Sequence, residues 1–255
     1  MRVDALAVAL RPRPMAEAAD LGAALTRCCA GSVWRVFLPV YAVVVVLSLS
    51  TAEFAIWLPA LLIFWLKPWL DRSLLFVFSR AAFGEPTRWS DLWRARRQVW
   101  GGNLLRTLFE RRLSPWRSFT QPIEQLENQR GRARRRRSKQ LRHGRGGAAI
   151  GLQIAYAHVE VALNFGLIAA MVWLAPDDNG SRSRLLHWLV TRGDATIAPA
   201  LVSALFYAVV VAVLEPFYVA AGFGMYLNRR VELEAWDIEQ AFRAMFTSRA
   251  EEAQA

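Results

Sequence analysis

Four ionisable side chains, Lys67, His158, Glu160 and Glu215, stand inside or at the edge of otherwise apolar stretches of this chain. An ionised group in hydrocarbon is costly, so each must pair with an opposite charge, exchange a proton, or extend along the lipid boundary until it reaches water. Lys67 and Glu215 each directly precede a proline, at Lys67-Pro68 and Glu215-Pro216. A salt bridge between their two helices is the chemistry these types suggest, with extension of both to the headgroups as the alternative. His158 and Glu160 are two residues apart and therefore about 200° apart on a helix, so they face different neighbours. A buried Glu160 must pair or take up a proton. The three histidines, His143, His158 and His187, fall on opposite sides or at different depths of the expected membrane, and Cys28 and Cys29 are adjacent. Neither a metal set nor a disulfide framework is expected from them. No nucleophile, base and orienting group occur at recognisable spacing. The expected site thus has no catalytic residue, no cofactor and no metal.

These groups must be held by the segments around them. Of 255 residues 55% are hydrophobic and 11 are Trp, yet 32 Lys and Arg against 21 Asp and Glu leave a charge of +11. Both properties coexist because they are segregated along the chain, which points to a multi-pass membrane protein and away from a soluble enzyme, a disulfide-rich secreted domain or a disordered nucleic-acid tail. Four spans are expected: Val33 to Leu49, Phe54 to Leu70, Ala148 to Leu174, and about Thr196 to Tyr218. The opening MRVDALAVAL is too short for a span and lacks a small-residue cleavage site, so the first span is expected to serve as its own targeting signal. Trp34, Trp57, Trp65, Trp69, Trp173 and Trp188 fall near span ends, where indole rings prefer the headgroup layer.

Basic residues set the orientation. Lys67 to Gly147 carries 20 Lys and Arg against 6 Asp and Glu, a net of +14, and is expected in the cytoplasm. The turn after the first span has no Lys or Arg, and Pro176 to Ala195 balances three Arg with three Asp. Both termini are therefore expected in the cytoplasm.

The charged-proline junctions are part of a longer similarity. Each is followed by an apolar aromatic stretch and then by Trp and an acid, Trp89 with Asp91 and Trp236 with Asp237; the prolines are 148 apart and the tryptophans 147. Two tandem repeats, each of two spans and an interfacial helix bent away at its proline, account for this. A chance reuse of one helix terminator is the other reading. The expected fold is an all-α polytopic membrane helical bundle of about four transmembrane helices. It divides into 1–32, a cytoplasmic segment; 33–84, the first pair with its interfacial helix; 85–147, the basic loop; 148–228, the second pair; and 229–255, a cytoplasmic helix with Ile238, Phe242, Met245 and Phe246 at helical spacing.

Within the loop, Ser90 can cap a helix broken at Gly101-Gly102, Asn103 a second, and Thr120 with Pro122 can start a third. The run GRARRRRSKQLRHGRG then supplies Arg132, Arg134, Arg135, Arg136, Arg137, Lys139, Arg142 and Arg145, immediately before the chain re-enters the membrane. Contact with anionic lipid is the expected role, at about 1 kcal/mol per basic residue near the surface. The run lacks the aromatic interleaving of a nucleic-acid binder, and no nucleic acid is expected as partner.

The segments RPRPMAEAADLGAAL, WLKPWLDRSLLFVFSRAAFGE, RLSPWRSFTQPIEQLENQRG and EPFYVAAGFGMYLNRRVELEAWDIEQAF resemble a family of bacterial multi-pass inner-membrane proteins, itself similar to the membrane domain associated with glycerophosphodiester phosphodiesterases. The resemblance touches most of the chain. It implies a helical integral membrane protein encoded beside transglutaminase-like membrane proteins and a MoxR-type ATPase. It brings no catalytic residues, and phosphodiesterase activity does not carry over, since the catalytic domain with paired His and acidic metal ligands is absent from this sequence. The function expected is that of a structural or assembly partner in an envelope complex, meeting lipid, membrane-protein partners or further copies of itself. The alternative is a small carrier or channel subunit using Glu160 and Glu215.

Overall fold

The computed structural model describes residues 11–101, 107–110, 112–175, 180, 183–185, 187 and 197–234. Every regular element among them is helical. After Pro14, which suits a helix start because its missing amide would be unpaired there, α1 runs Met15–Cys28. α2 is Ala30–Leu49 and continues into a 3₁₀ turn at Ser50–Glu53. α3 is Leu58–Ala81 with Pro59 in its first turn, followed by the short helices α4, Trp89–Arg94, and α5, Arg96–Trp100. α6 spans Arg117–Gln125, α7 Gly131–Arg142, α8 Gly146–Leu174 and α9 Ala198–Glu234. The C-terminal stripe Ile238, Phe242, Met245 and Phe246, the Trp236-Asp237 pair, Trp188, the second expected loop helix at Asn103 and most of Pro176 to Ala195 lie outside the described residues.

Three of these helices are long and apolar enough to cross a membrane: α2 with its 3₁₀ turn, α8 and α9. The expected second span is α3, and here the structure differs. Its 24 residues have the length, but its longest stretch free of charge, Leu58 to Leu66, is only nine residues. Those nine residues rise about 14 Å, roughly half a bilayer core. From Lys67 onward the helix is embedded in protein, with Lys67, Asp71, Arg72 and Ser73 buried beside Leu70, Leu74, Leu75 and Phe78.

Neither charged-proline junction ends its helix. α3 passes through Pro68 to Ala81, and α9 passes through Pro216 to Glu234. The expected interfacial helices are continuations instead, and they are central: along α9, every residue from Tyr218 to Asn228 is buried, whereas Leu205, Val209 and Val213 before the junction are exposed. A proline deletes one intrahelical hydrogen bond, and packing on all sides of α9 outweighs that loss. Both junctions thus mark the level at which a helix leaves an apolar surround and enters packed protein.

α9 is the post of the bundle, touching α1, α2, α3, α6, α7 and α8. Small residues set its closest crossing. A Cβ on Gly22 would stand 2.1 Å from the Ala220 carbonyl oxygen, and one on Gly224 would stand 2.2 Å from that of Ala18, so α1 and α9 meet backbone to backbone. Asn228 ties down the entry to α1: its Oδ1 accepts from Arg13 N at 2.8 Å and its Nδ2 donates to Arg13 O at 2.9 Å. Tyr41 of α2 donates to the Ala208 carbonyl of α9 at 2.8 Å.

α8 stands apart. It packs chiefly on α9, and Ile154, Val159, Val161, Leu163, Phe165, Trp173 and Leu174 are exposed. Of the Trp residues expected in the headgroup layer, Trp57 and Trp173 are exposed. Trp34, Trp65 and Trp69 pack against Phe217, Phe109 and Trp100 respectively.

The loop is folded. α4 begins at Trp89 rather than being capped by Ser90; its N-cap is Arg88, whose backbone N donates to Asp91 Oδ2 at 2.9 Å. The third expected loop helix starts at Arg117, three residues earlier than Thr120, and eight of its nine residues are buried. Thr120 turns its hydroxyl back to Trp116 O at 2.8 Å, the i−4 carbonyl, instead of capping.

Candidate functional site

Where α3, α6, α8 and α9 meet, the structure holds a buried network of five charges. Lys67 Nζ lies 2.6 Å from Glu160 Oε2 on α8 and 3.1 Å from Glu215 Oε2 on α9. Arg117, the first residue of α6, reaches the other Glu215 oxygen at 2.5 Å and Asp71 Oδ2 at 3.0 Å. Asp71 is one helical turn after Lys67, so α3 presents a cation and an anion on one face. Three carboxylates and two cations are therefore interleaved, and Lys67, Asp71, Arg117 and Glu215 are each at most 4% exposed.

Local structure explains why these residues converge. Each junction sets its charged residue at the boundary where an apolar half-helix becomes protein-packed, so Lys67 and Glu215 sit at one level and face each other. Arg117 enters because α6 lies tight against α9 at Gly222, where an added Cβ would fall 2.2 Å from Ser118 Oγ. Its guanidinium also stacks on Tyr218, 4.9 Å from the ring centroid. Burial alone would weaken Arg117 as a base, but Asp71 and Glu215 more than offset this and hold it above the ordinary arginine range.

The network is closed on most sides. A cavity of about 150 Å³ borders it, with Arg112, Gln153, Tyr156, Glu160 and Glu215 among its walls. Arg112 stacks on Phe64 at 3.2 Å from the ring centroid, and burial pulls its pKa down to about 10. Gln153 accepts from the Tyr218 hydroxyl at 2.5 Å. Glu160 is the most open charge of the network, its side chain 20% exposed.

Of the four polar residues singled out in the sequence, Lys67, Glu160 and Glu215 come together and His158 does not. His158 points outward from the middle of α8 with Nδ1 2.8 Å from Ile154 O. Because a carbonyl only accepts, Nδ1 is the donor in this contact, and the rest of the ring is open to the outside. Asp71 and Arg117 escaped sequence reasoning. The signal for Asp71 was its i,i+4 spacing from Lys67; Arg117 lies in a mixed-composition loop whose sequence carries no mark of burial.

The basic run forms α7 and divides by face. Arg134 is buried against Glu110 at 3.1 Å and Glu124 at 3.6 Å. Arg137 pairs with Glu127 at 2.9 Å and also with Glu234 of α9, and Arg145 pairs with Glu232 at 3.1 Å. Burial lowers the basicity of Arg137, but hydrogen bonds to Glu127 and Glu234 raise it further, leaving a net upward shift. Arg142 stacks on Trp116 at 4.2 Å. Arg132, Arg135, Arg136 and Lys139 are exposed and form the outward face. Half of the expected lipid-contacting set therefore joins α7 to its own protein, and half remains available to a surface. Among the described residues no group of His, Cys, Asp and Glu is arranged to hold a metal ion.

Comparison with protein-family models, with curated proteins and with solved structures returned no match, so the reading of the site rests on its geometry.

Proposed function

We propose that this is an integral protein of a bacterial inner membrane that acts as an assembly partner, holding a second membrane protein against α8 while the charge network keeps its own helices in fixed register. In this reading both termini and α4 to α7 are cytoplasmic. The observation that carries it is the outward face of α8. Gly147, Gly151, Ala155, His158, Ala162 and Gly166 share that side of the helix, all exposed, and Gly147, Gly151 and Gly166 have nothing within 4 Å of an added Cβ. A lipid-facing helix gains nothing from glycines or from an imidazole at mid-depth, about 18 Å from its start. A close-packed partner helix uses both, the small residues for backbone approach and the imidazole Nε2 for a hydrogen bond between the helices. The network supports the same role, since pairing ties four elements together and leaves a cavity too small for a solute path.

A photo-crosslinker placed at Ala155 or Ala162 in cells tests this. A discrete adduct with another membrane protein, lost in Gly151→Leu, is expected; an adduct at twice the chain mass identifies a second copy as the partner. Crosslinking to lipid alone refutes the proposal.

A second reading, a small carrier or channel subunit, is favoured by one observation, the opening of Glu160 onto the 150 Å³ cavity. Proton or ion flux in proteoliposomes that disappears in Glu160→Gln and Glu215→Gln supports it, and absence of flux in the unaltered protein removes it.

A further inference from the structure

A second and larger cavity, about 400 Å³, lies beyond the charge network, between α3, α5 and the chain leaving α6. That volume falls in the usual range of small-ligand sites, about 300 to 1,000 Å³, but such sites are mostly apolar and this one is walled by Arg72, Arg97, Arg130, Gln98, Gln125 and Asn128. Among the described residues that line it Glu124 is the one carboxylate, and that group is already within 3.6 Å of Arg134. Three guanidinium groups from three separate elements therefore converge on one space with a single, shared counter-charge. Bringing like charges together costs free energy, and an anion of matching geometry offsets it.

The individual residues indicate how such an anion is held. Arg72 is 4% exposed and anchored, its NH1 3.4 Å from Thr107 Oγ1 and its backbone carbonyl accepting from Gln125 Nε2 at 2.8 Å. That last bond fixes the Gln125 amide and leaves its Oε1 buried without a hydrogen-bond partner. Arg97 and Arg130 are exposed at the rim and free to close from two sides. Guanidinium forks match phosphate oxygens two at a time. The Gln125 oxygen accepts only, so it calls for a hydroxyl or N–H on the same ligand. Arg72 is five residues past Lys67, about 7.5 Å further along α3.

We propose that this cavity is a binding site for a phosphate group, mono- or diester, borne by a molecule that also carries a hydrogen-bond donor. A phospholipid headgroup and a free phosphorylated solute share this chemistry, and the site lies close enough to the membrane level of Lys67 for either. Arg72 is the buried anchor, Arg97 and Arg130 are the closing pair, and the Gln125 amide oxygen takes the donor. This assignment does not depend on α8 having a partner.

The test uses the full chain in mild detergent. Inorganic phosphate is titrated at constant ionic strength against chloride, with the thermal midpoint as readout, and retention of phosphatidylglycerol is compared with phosphatidylcholine by native mass spectrometry. The unaltered protein is expected to bind at least one probe saturably. Arg97→Gln with Arg130→Gln, both at exposed positions, should weaken that binding about tenfold or more without lowering the unliganded midpoint. Arg132→Gln with Arg135→Gln, on the exposed face of α7, should leave the inorganic-phosphate titration unchanged. Phosphate binding that competes with phosphatidylglycerol places both sources in one site; retention of the lipid alone assigns the headgroup, and binding of inorganic phosphate alone assigns the solute. Saturable binding of neither probe, or binding that survives Arg97→Gln with Arg130→Gln, overturns the proposal.

Discussion

Replacing Arg117 by Met removes the cation that separates two buried carboxylates. Asp71, fully buried, loses its partner at 3.0 Å, and Glu215 loses the contact at 2.5 Å. The remaining cation, Lys67, is already engaged by Glu160 at 2.6 Å and Glu215 at 3.1 Å. One ammonium then faces three carboxylates. Deleting one partner of a buried pair costs about 3–5 kcal/mol, because the charge left behind has neither water nor counter-ion. The expected loss is two to three and a half decades in the unfolding equilibrium constant, at about 1.4 kcal/mol per decade. It can be followed by tryptophan fluorescence during denaturation by sodium dodecyl sulfate, with 11 Trp as reporters. The second half of the experiment is the sharper one. Adding Asp71→Asn to Arg117→Met removes the orphaned charge and should recover about half of the loss or more, whereas Asp71→Asn alone should destabilise. Independent sites would add. A loss below about 1 kcal/mol for Arg117→Met, or a double variant worse than either single one, refutes the network as the element that fixes the helices.

Steric predictions follow from the glycines. Gly22→Ala and Gly224→Ala place a methyl about 2.1–2.2 Å from a backbone carbonyl oxygen and should each cost about 1–3 kcal/mol by overpacking; Gly151→Ala on the open face of α8 should be silent in the same assay. Thiol labelling separates the two cysteines: exposed Cys28 should react first, and Cys29, whose thiol burial pushes up with a smaller contribution from Cys28, should need higher pH because the thiolate is the reactive form. Equal rates at every pH would contradict the partial burial of Cys29. The same labelling in intact cells checks orientation, with reaction from outside excluding a cytoplasmic α1. Changing Arg132, Arg135, Arg136 and Lys139 together to Gln should lower the preference for anionic over zwitterionic lipid by about 1 kcal/mol per charge near the surface, read from spin-labelled lipids, whereas Arg137→Gln should instead loosen α7 from α9. Identical effects of the two changes would negate the division of α7 into two faces.

Much of this molecule was legible in the sequence because the relevant physics is local. Runs of apolar side chains over 18 or more residues imply helices that suit a bilayer, and α2, α8 and α9 are such helices. Two charged residues placed alike before two prolines point to a shared level, and a helical period of 3.6 residues by itself separates His158 from Glu160. What periodicity could not decide is how far each helix stays in an apolar surround. Lys67-Pro68 and Glu215-Pro216 read locally as places to stop or bend, yet α3 and α9 run on, because neighbours far along the chain wrap their second halves and supply the partners their charges need. Arg117 illustrates the limit most clearly. Nothing within its own segment distinguishes it from the arginines of α7 exposed on the surface; it is buried because Asp71, 46 positions before it, and Glu215, 98 positions after it, are brought to one point. Hydrophobic burial acts through composition and is written along the chain, whereas charge compensation acts pairwise through space, and only the packed helices settle which charges meet.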